Sequence, residues 1–141
     1  MTTENWIGKE SCLSVVEPQF MLDSNICIYV LEGLSSNLRD RIQDCAPGQL
    51  VTSAISYAEV MRGVDPDDLT AIRKTERFFS VIQALPFERA SAAAFTRVPF
   101  RRKSFDRLIA AHALALGLVV ITNNEADFAD VPGLKVENWT V

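Results

Sequence analysis

Apolar and polar positions fall into blocks whose period switches repeatedly between short apolar runs and helical spacing. Phe20-Met21-Leu22 is a short apolar run ending in Asp23-Ser24-Asn25. Ser24 or Asn25 supplies an N-cap for a helix from Ile26 to about Glu32, which Gly33 stops. Ser35 or Ser36 opens a second helix with Leu38, Ile42 and Cys45 on one face, ended by Pro47-Gly48. Leu50, Val51 and Thr52 with Ile55 read as a second strand, and Ser56-Tyr57-Ala58-Glu59 has capping-box spacing at the next helix start. Gly63 closes that helix. The turn Asp65-Pro66-Asp67-Asp68 then leads into a longer one, to about Gln83, with Leu69, Ile72, Phe79 and Ile82 near one face.

Leu85-Pro86-Phe87 reads as a short strand, and its proline argues for a sheet edge. An alanine-rich helix from about Arg89 to Arg97 precedes a basic loop, Arg101-Arg102-Lys103. The stretch Ser104 to Phe128 is the densest: a helix with Phe105, Leu108, Ile109 and Leu116 on its apolar side, a stop at Gly117, and the apolar run Leu118 to Ile121. A continuous apolar run of that length suits a strand covered on both faces. Leu134 to Glu137 alternates, as a final edge strand would. Strands alternating with helices imply an α/β fold with a parallel sheet. Residues 1–19 carry no strong period and read as an N-terminal extension, or residues 11–20 lengthen the first strand; residues 20–141 form one domain.

Composition adds bounds. The chain has 141 residues, 48% hydrophobic and 23% charged, as in an ordinary globular domain. Its net charge of -4 gives no global signal for nucleic acid. Three cysteines (Cys12, Cys27 and Cys45) lack CxxC spacing, which argues against a disulfide scaffold or zinc site and fits a reducing cytoplasm. The first twenty residues hold Glu4, Lys9, Glu10 and Glu17 without a long apolar run, so neither a standard signal peptide nor a membrane span is expected.

The chemistry rests on carboxylates. The single histidine, His112, sits in an alanine-rich helix, where a packed role is the ordinary one, and no GxSxG elbow, P-loop or GxGxxG occurs. Asp23 follows a strand, Glu59 and Asp106 stand near helix starts, and Asn123, Asn124 and Asp127 follow the last buried strand. Polar groups beyond strand C-termini gather at one edge of a parallel sheet. Two carboxylates about 4 Å apart repel by roughly 4 kcal/mol at an effective dielectric near 20, so converging acids call for a divalent cation. All-oxygen ligation favours Mg²⁺ or Mn²⁺ over zinc. Each acid also has a structural reading: Glu59 completes the box with Ser56, and Asp106 favours the helix macrodipole. Asp23, directly after a buried strand, is the hardest to explain without a partner.

Four ordered blocks, FMLDSNICIYVLEG, VTSAISYAEVMRGV, SFDRLIAAHALALG and VVITNNEADF, resemble the PIN-domain ribonucleases, most closely the VapC toxins of toxin–antitoxin modules. The resemblance implies a three-layer α/β/α domain with a central, mostly parallel sheet. It implies Asp23, Glu59 and Asp106 as ligands of Mg²⁺ or Mn²⁺, with Ser24 and Asn25 supporting them and either Asn124 or Asp127 filling a fourth position. The implied activity is hydrolysis of structured RNA, tRNA above all, by a metal-activated water, with Asp127 joining the catalytic set. Arg101, Arg102, Lys103 and Arg107 would hold RNA phosphates. The implied partners are a VapB-like antitoxin and a second copy in a cytoplasmic homodimer, with apolar faces around Ile28 to Leu38 and Val60 as docking surfaces. Two rivals are an RNA-processing nuclease outside a toxin pair and a catalytically silent binding module.

Overall fold

The computed structural model describes residues 16–102 and 104–141. Residues 1–15 of the expected extension, and Lys103, lie outside the described residues. Five strands form one parallel sheet: β1 (Phe20–Leu22), β2 (Leu50–Ser53), β3 (Gln83–Leu85), β4 (Val119–Ile121) and β5 (Val136–Glu137), in the order β3-β2-β1-β4-β5. The six helices between them are α1 (Ser24–Glu32), α2 (Ser36–Gln43), α3 (Ala54–Arg62), α4 (Leu69–Val81), α5 (Arg89–Ala94) and α6 (Asp106–Leu116). The first strand starts at Phe20, so residues 16–19 do not lengthen it, although Gln19 bonds to the backbone on both sides through Gln49 and Val119.

Side chains alternate across each strand and sort into two cores. Leu22, Leu50 and Ile121 face one layer, where they meet Ile26, Leu38, Ile42, Phe78 and Trp139. Met21, Val51 and Val120 face the other, against Ile109, Ala110, Ala113 and Phe128. The sheet is thus covered on both faces, giving the expected three-layer α/β/α arrangement. The two-residue strand β5 and the proline directly after β3 confirm that both edges are short.

Several local expectations are corrected. Asp23 itself caps α1, accepting from the Ile26 amide at 2.9 Å, so neither Ser24 nor Asn25 does. Helix α3 starts three residues earlier than expected, capped by Ser53, which leaves Ser56 and Glu59 inside the helix and forms no capping box. Ile55 belongs to α3 rather than to β2. Leu69, Phe105 and Leu116 are exposed, whereas Arg107 and His112 are buried. The inward face of α6 is carried by Ile109 and its alanines, whose small size lets the helix lie close to the sheet.

Candidate active site

Strand order reverses between β1 and β4: the chain leaves β1 towards β2 and β3, then returns to place β4 on the other side. Open parallel sheets bind ligands at such a switch point, beyond the strand C-termini. Asp23 follows β1 there, and Thr122 follows β4. The Asp23 amide donates to the Ile121 carbonyl at 3.0 Å, which ties the two strand ends together.

Asp23 is buried. Burial raises its carboxyl from 3.8 to about 6; the Thr122 hydroxyl and the Ile26 amide oppose the rise, and the charges of Glu59 and Asp127 reinforce it. Glu59, from α3, is reached by Ser24, whose Oγ donates to Oε1 at 2.6 Å. Asp106 opens α6 and is half-buried. Its carboxyl is also raised to about 6, first by burial, then by the charges of Asp23, Asp127 and Glu59, and by a side-chain hydrogen bond with Asp127. Asp127 stands in a short 3₁₀ turn, Glu125–Asp127, and accepts from Asn124 Nδ2 at 2.8 Å. Four carboxylates, after β1, within α3, at the start of α6 and after β4, therefore share one field.

The other expected residues divide. Ser24 and Asn124 each orient one of the acids, but Asn25 is exposed and bonds to none of them. Of the two candidates for the fourth position, Asp127 couples to the other acids while Asn124 holds it. Arg101 and Arg102 are exposed. Arg107 does not face solvent: it is 1% exposed, pairs with Asp130 at 3.0 Å and donates to the carbonyls of Pro99 and Asp127. A buried guanidinium with those bonds cannot bind RNA phosphate, which corrects its expected role. His112 takes the packed role, with Nδ1 2.8 Å from Ser53 Oγ and its ring edge-on to Phe87. The Cys27 thiol lies against Thr52, and burial pushes it up to about 12, so it is no nucleophile.

Thr122 was not singled out from sequence. Its hydroxyl bonds Asp23 while accepting from the Asn124 amide at 3.0 Å, linking the first acid to the turn that presents Asp127. Its only sequence signal is a threonine directly after a buried strand.

The donor set suits a hard cation. Among the described residues, no three or more acidic, histidine or cysteine side chains stand close enough together to hold a metal ion as they are. Asp23, Glu59 and Asp127 are instead each tied to a neighbouring donor. Mg²⁺ keeps several waters and takes one or two carboxylates, so an open acidic pocket fits it better than a closed cage does. Asn123 Oδ1, buried without a partner at the same strand end, is a further unused oxygen.

The profile of the PIN domain matches residues 20–134. The chain belongs to the PIN-domain family. A tRNA(fMet)-specific endonuclease VapC from Shigella flexneri is 32% identical over 132 residues, covering 86% of this PIN-domain chain and 98% of the relative. Ribonuclease VapC2 from Haemophilus influenzae is 31% identical over 130 residues, again covering 86% and 98%. Among solved structures, DNA-bound VapBC from Salmonella typhimurium superposes with a TM-score of 0.77 at 27% identity, over 86% of this chain and 98% of that one. VapBC-1 from nontypeable Haemophilus influenzae gives 0.75 at 28% identity, with the same coverage. With nuclease relatives along nearly its whole described length, this PIN-domain protein is a hydrolase of the nuclease class.

Proposed function

We propose that this chain is the RNA-cleaving toxin of a toxin–antitoxin pair, a Mg²⁺-dependent endoribonuclease acting on structured RNA, with tRNA as its substrate class. The observation that carries the reading is the convergence of Asp23, Glu59, Asp106 and Asp127, where burial first and mutual charge second raise the Asp23 and Asp106 carboxyls to about 6. Such a pocket is electrostatically unsatisfied until a cation enters it. The name of the Shigella flexneri relative supports tRNA. The VapBC structures that resemble the chain support an antitoxin partner.

Asp23 and Asp106 are the principal ligands in this reading. Bound Mg²⁺ supplies charge stabilisation to a phosphodiester and lowers the pKa of water. Glu59, held by Ser24, orients the attacking water, and Asp127, held by Asn124, completes the acidic wall. A cation would need Asp106 ionised, and that carboxyl is raised to about 6, so metal affinity rises with pH through about 6. Arg102, which pairs with no acid among the described residues, attracts the RNA backbone, and the exposed rings of Phe100 and Phe105 beside it offer stacking faces to unpaired bases. No helix among the described residues is long and apolar enough to cross a membrane; a cytoplasmic site of action and a homodimer are parts of the same proposal.

A groove of about 380 Å³ runs from Glu59 between α1, α3 and α4. Ile28, Leu31 and Val60 give it apolar lining, and Glu32, Glu59, Asp65 and Asp68 outnumber Lys74 among its charged residues. That chemistry suits an amphipathic antitoxin segment carrying basic residues. Induced expression in bacteria, followed by sequencing of new 5′-phosphate RNA ends, tests the reading. Discrete tRNA cuts that vanish on co-expression of the cognate antitoxin are expected. Growth arrest without new RNA ends would refute it.

A further inference from the structure

We propose that Arg107 is a positioning residue of the acidic pocket: one buried guanidinium pins the Glu125–Asp127 turn and so fixes the Asp127 carboxylate relative to Asp106 and Asp23. This rests on the reading of those acids as the cation pocket.

Arg107 follows Asp106 in the first turn of α6 and is almost wholly buried. Its Nη1 donates to Asp130 Oδ1 at 3.0 Å and to the Pro99 carbonyl at 3.3 Å, and its Nη2 donates to the Asp127 carbonyl. One planar group thus ties three segments together: the loop before α6, the 3₁₀ turn after β4, and the turn that follows it. Asp130 is also bonded by Arg101 at 3.0 Å, so it joins two guanidiniums. Asp127 is then fixed twice, through its backbone by Arg107 and through its carboxylate by Asn124.

A role in packing alone fits poorly. The Nε of Arg107 is buried without a partner, a cost that an aliphatic side chain of similar volume avoids. Buried ion pairs exchanged for apolar groups often leave stability unchanged or raised. What an aliphatic replacement cannot supply is the fork of donors holding a backbone carbonyl and a carboxylate at once. Lysine supplies a single ammonium and recovers only part of it. Because Asp130 neutralises the guanidinium, the pocket gains rigidity without an unpaired cation that competes with a metal.

The test uses the purified full chain, metal-free, titrated with Mn²⁺ while free ion is read by electron paramagnetic resonance. Amide hydrogen exchange is followed on the same samples. Arg107→Met is expected to fold, to bind Mn²⁺ about 10–100-fold more weakly, and to speed exchange at the Asp127 and Phe128 amides, which bond to Asn124 and Glu125. Exchange in β1 and β2 stays unchanged. Arg107→Lys falls between the two. Wild-type Mn²⁺ affinity and turn exchange in folded Arg107→Met would overturn the proposal. Should that variant fail to fold, Asp130→Asn removes one arm while the guanidinium stays, and a smaller loss in the same direction is expected; no change would overturn the proposal equally. Asp23→Asn separates the two readings. If it binds Mn²⁺ as tightly as wild type, the pocket itself is wrong. If it loses Mn²⁺ while the Arg107 and Asp130 variants do not, only the positioning role fails.

Discussion

Replacing Asp23 by asparagine is expected to stabilise the metal-free protein while destroying its activity. The carboxyl is buried at the end of β1 and raised from 3.8 to about 6, chiefly by burial. A rise of about two pKa units at 1.36 kcal/mol per unit amounts to about 3 kcal/mol of strain in the ionised form. Asparagine caps helices as well as aspartate does, so the bond to the Ile26 amide survives. Loss of the Thr122 hydrogen bond takes back about 1 kcal/mol. The net gain is about 2 kcal/mol, or about 6 °C in Tm for a chain of this length. Between 3.8 and about 6 the folded chain keeps a proton that the unfolded chain releases, so wild-type stability falls as pH rises through that window. The advantage of Asp23→Asn is therefore full above about pH 6 and, with only the lost Thr122 bond left, turns into a deficit of about 1 kcal/mol below 3.8. Thermal melts in EDTA at pH 8 and pH 3.5 measure both ends. A variant no more stable than wild type at pH 8, or equally advantaged at both pH values, would refute the reasoning. Added Mg²⁺ should narrow the gap at pH 8 by stabilising the wild type alone.

Three further outcomes follow from particular contacts. Ser24→Ala frees the Glu59 carboxylate from its 2.6 Å bond and should cut RNA cleavage about tenfold with a Tm within about 3 °C of wild type, read by initial rates and calorimetry. Arg102→Ala, which removes one exposed cation, should raise KM and lower the salt slope of RNA binding by about 0.7, as measured by fluorescence anisotropy across ionic strengths. Trp139→Ala empties a site where the ring is fully buried, edge-on to Phe20 at 4.9 Å, with the Arg41 guanidinium 4.7 Å from its centre; urea titration should show a loss of about 3–5 kcal/mol.

Much of this was written in the sequence at the level of period and punctuation. Short apolar runs alternating with helical spacing gave the order of strands and helices, and Gly33 and Gly117 do end their helices in the left-handed conformation. The carboxylate after β1 is legible because an acid directly after a buried strand demands a partner, whereas Asp106 at the start of α6 also suits the helix macrodipole and stands out only through the family resemblance. The start of α3 was not legible, since Ser53 and Ser56 are equally good caps. Only the pairing of Ser53 with Leu85 in β3, 32 residues on, fixes where the strand yields to the helix. Arg107 is expected to hold RNA phosphate because an arginine beside a basic loop looks the same whether it points out or in. Its direction depends on Asp127 and Asp130, about twenty residues later. Leu69, Phe105 and Leu116 kept helical spacing yet lie at helix ends, beyond the cover of the sheet, where spacing says nothing about burial.

The central claim is that the pocket of Asp23, Glu59, Asp106 and Asp127 cleaves RNA when it holds a divalent cation. The most direct measurement is cleavage of purified tRNA and ribosomal RNA by the antitoxin-free protein in Mg²⁺, Mn²⁺ or EDTA, beside folded Asp106→Asn. Discrete fragments that carry 5′-phosphates, need the cation and are absent with Asp106→Asn are the predicted result. Equal cleavage in EDTA, or by Asp106→Asn, would contradict it.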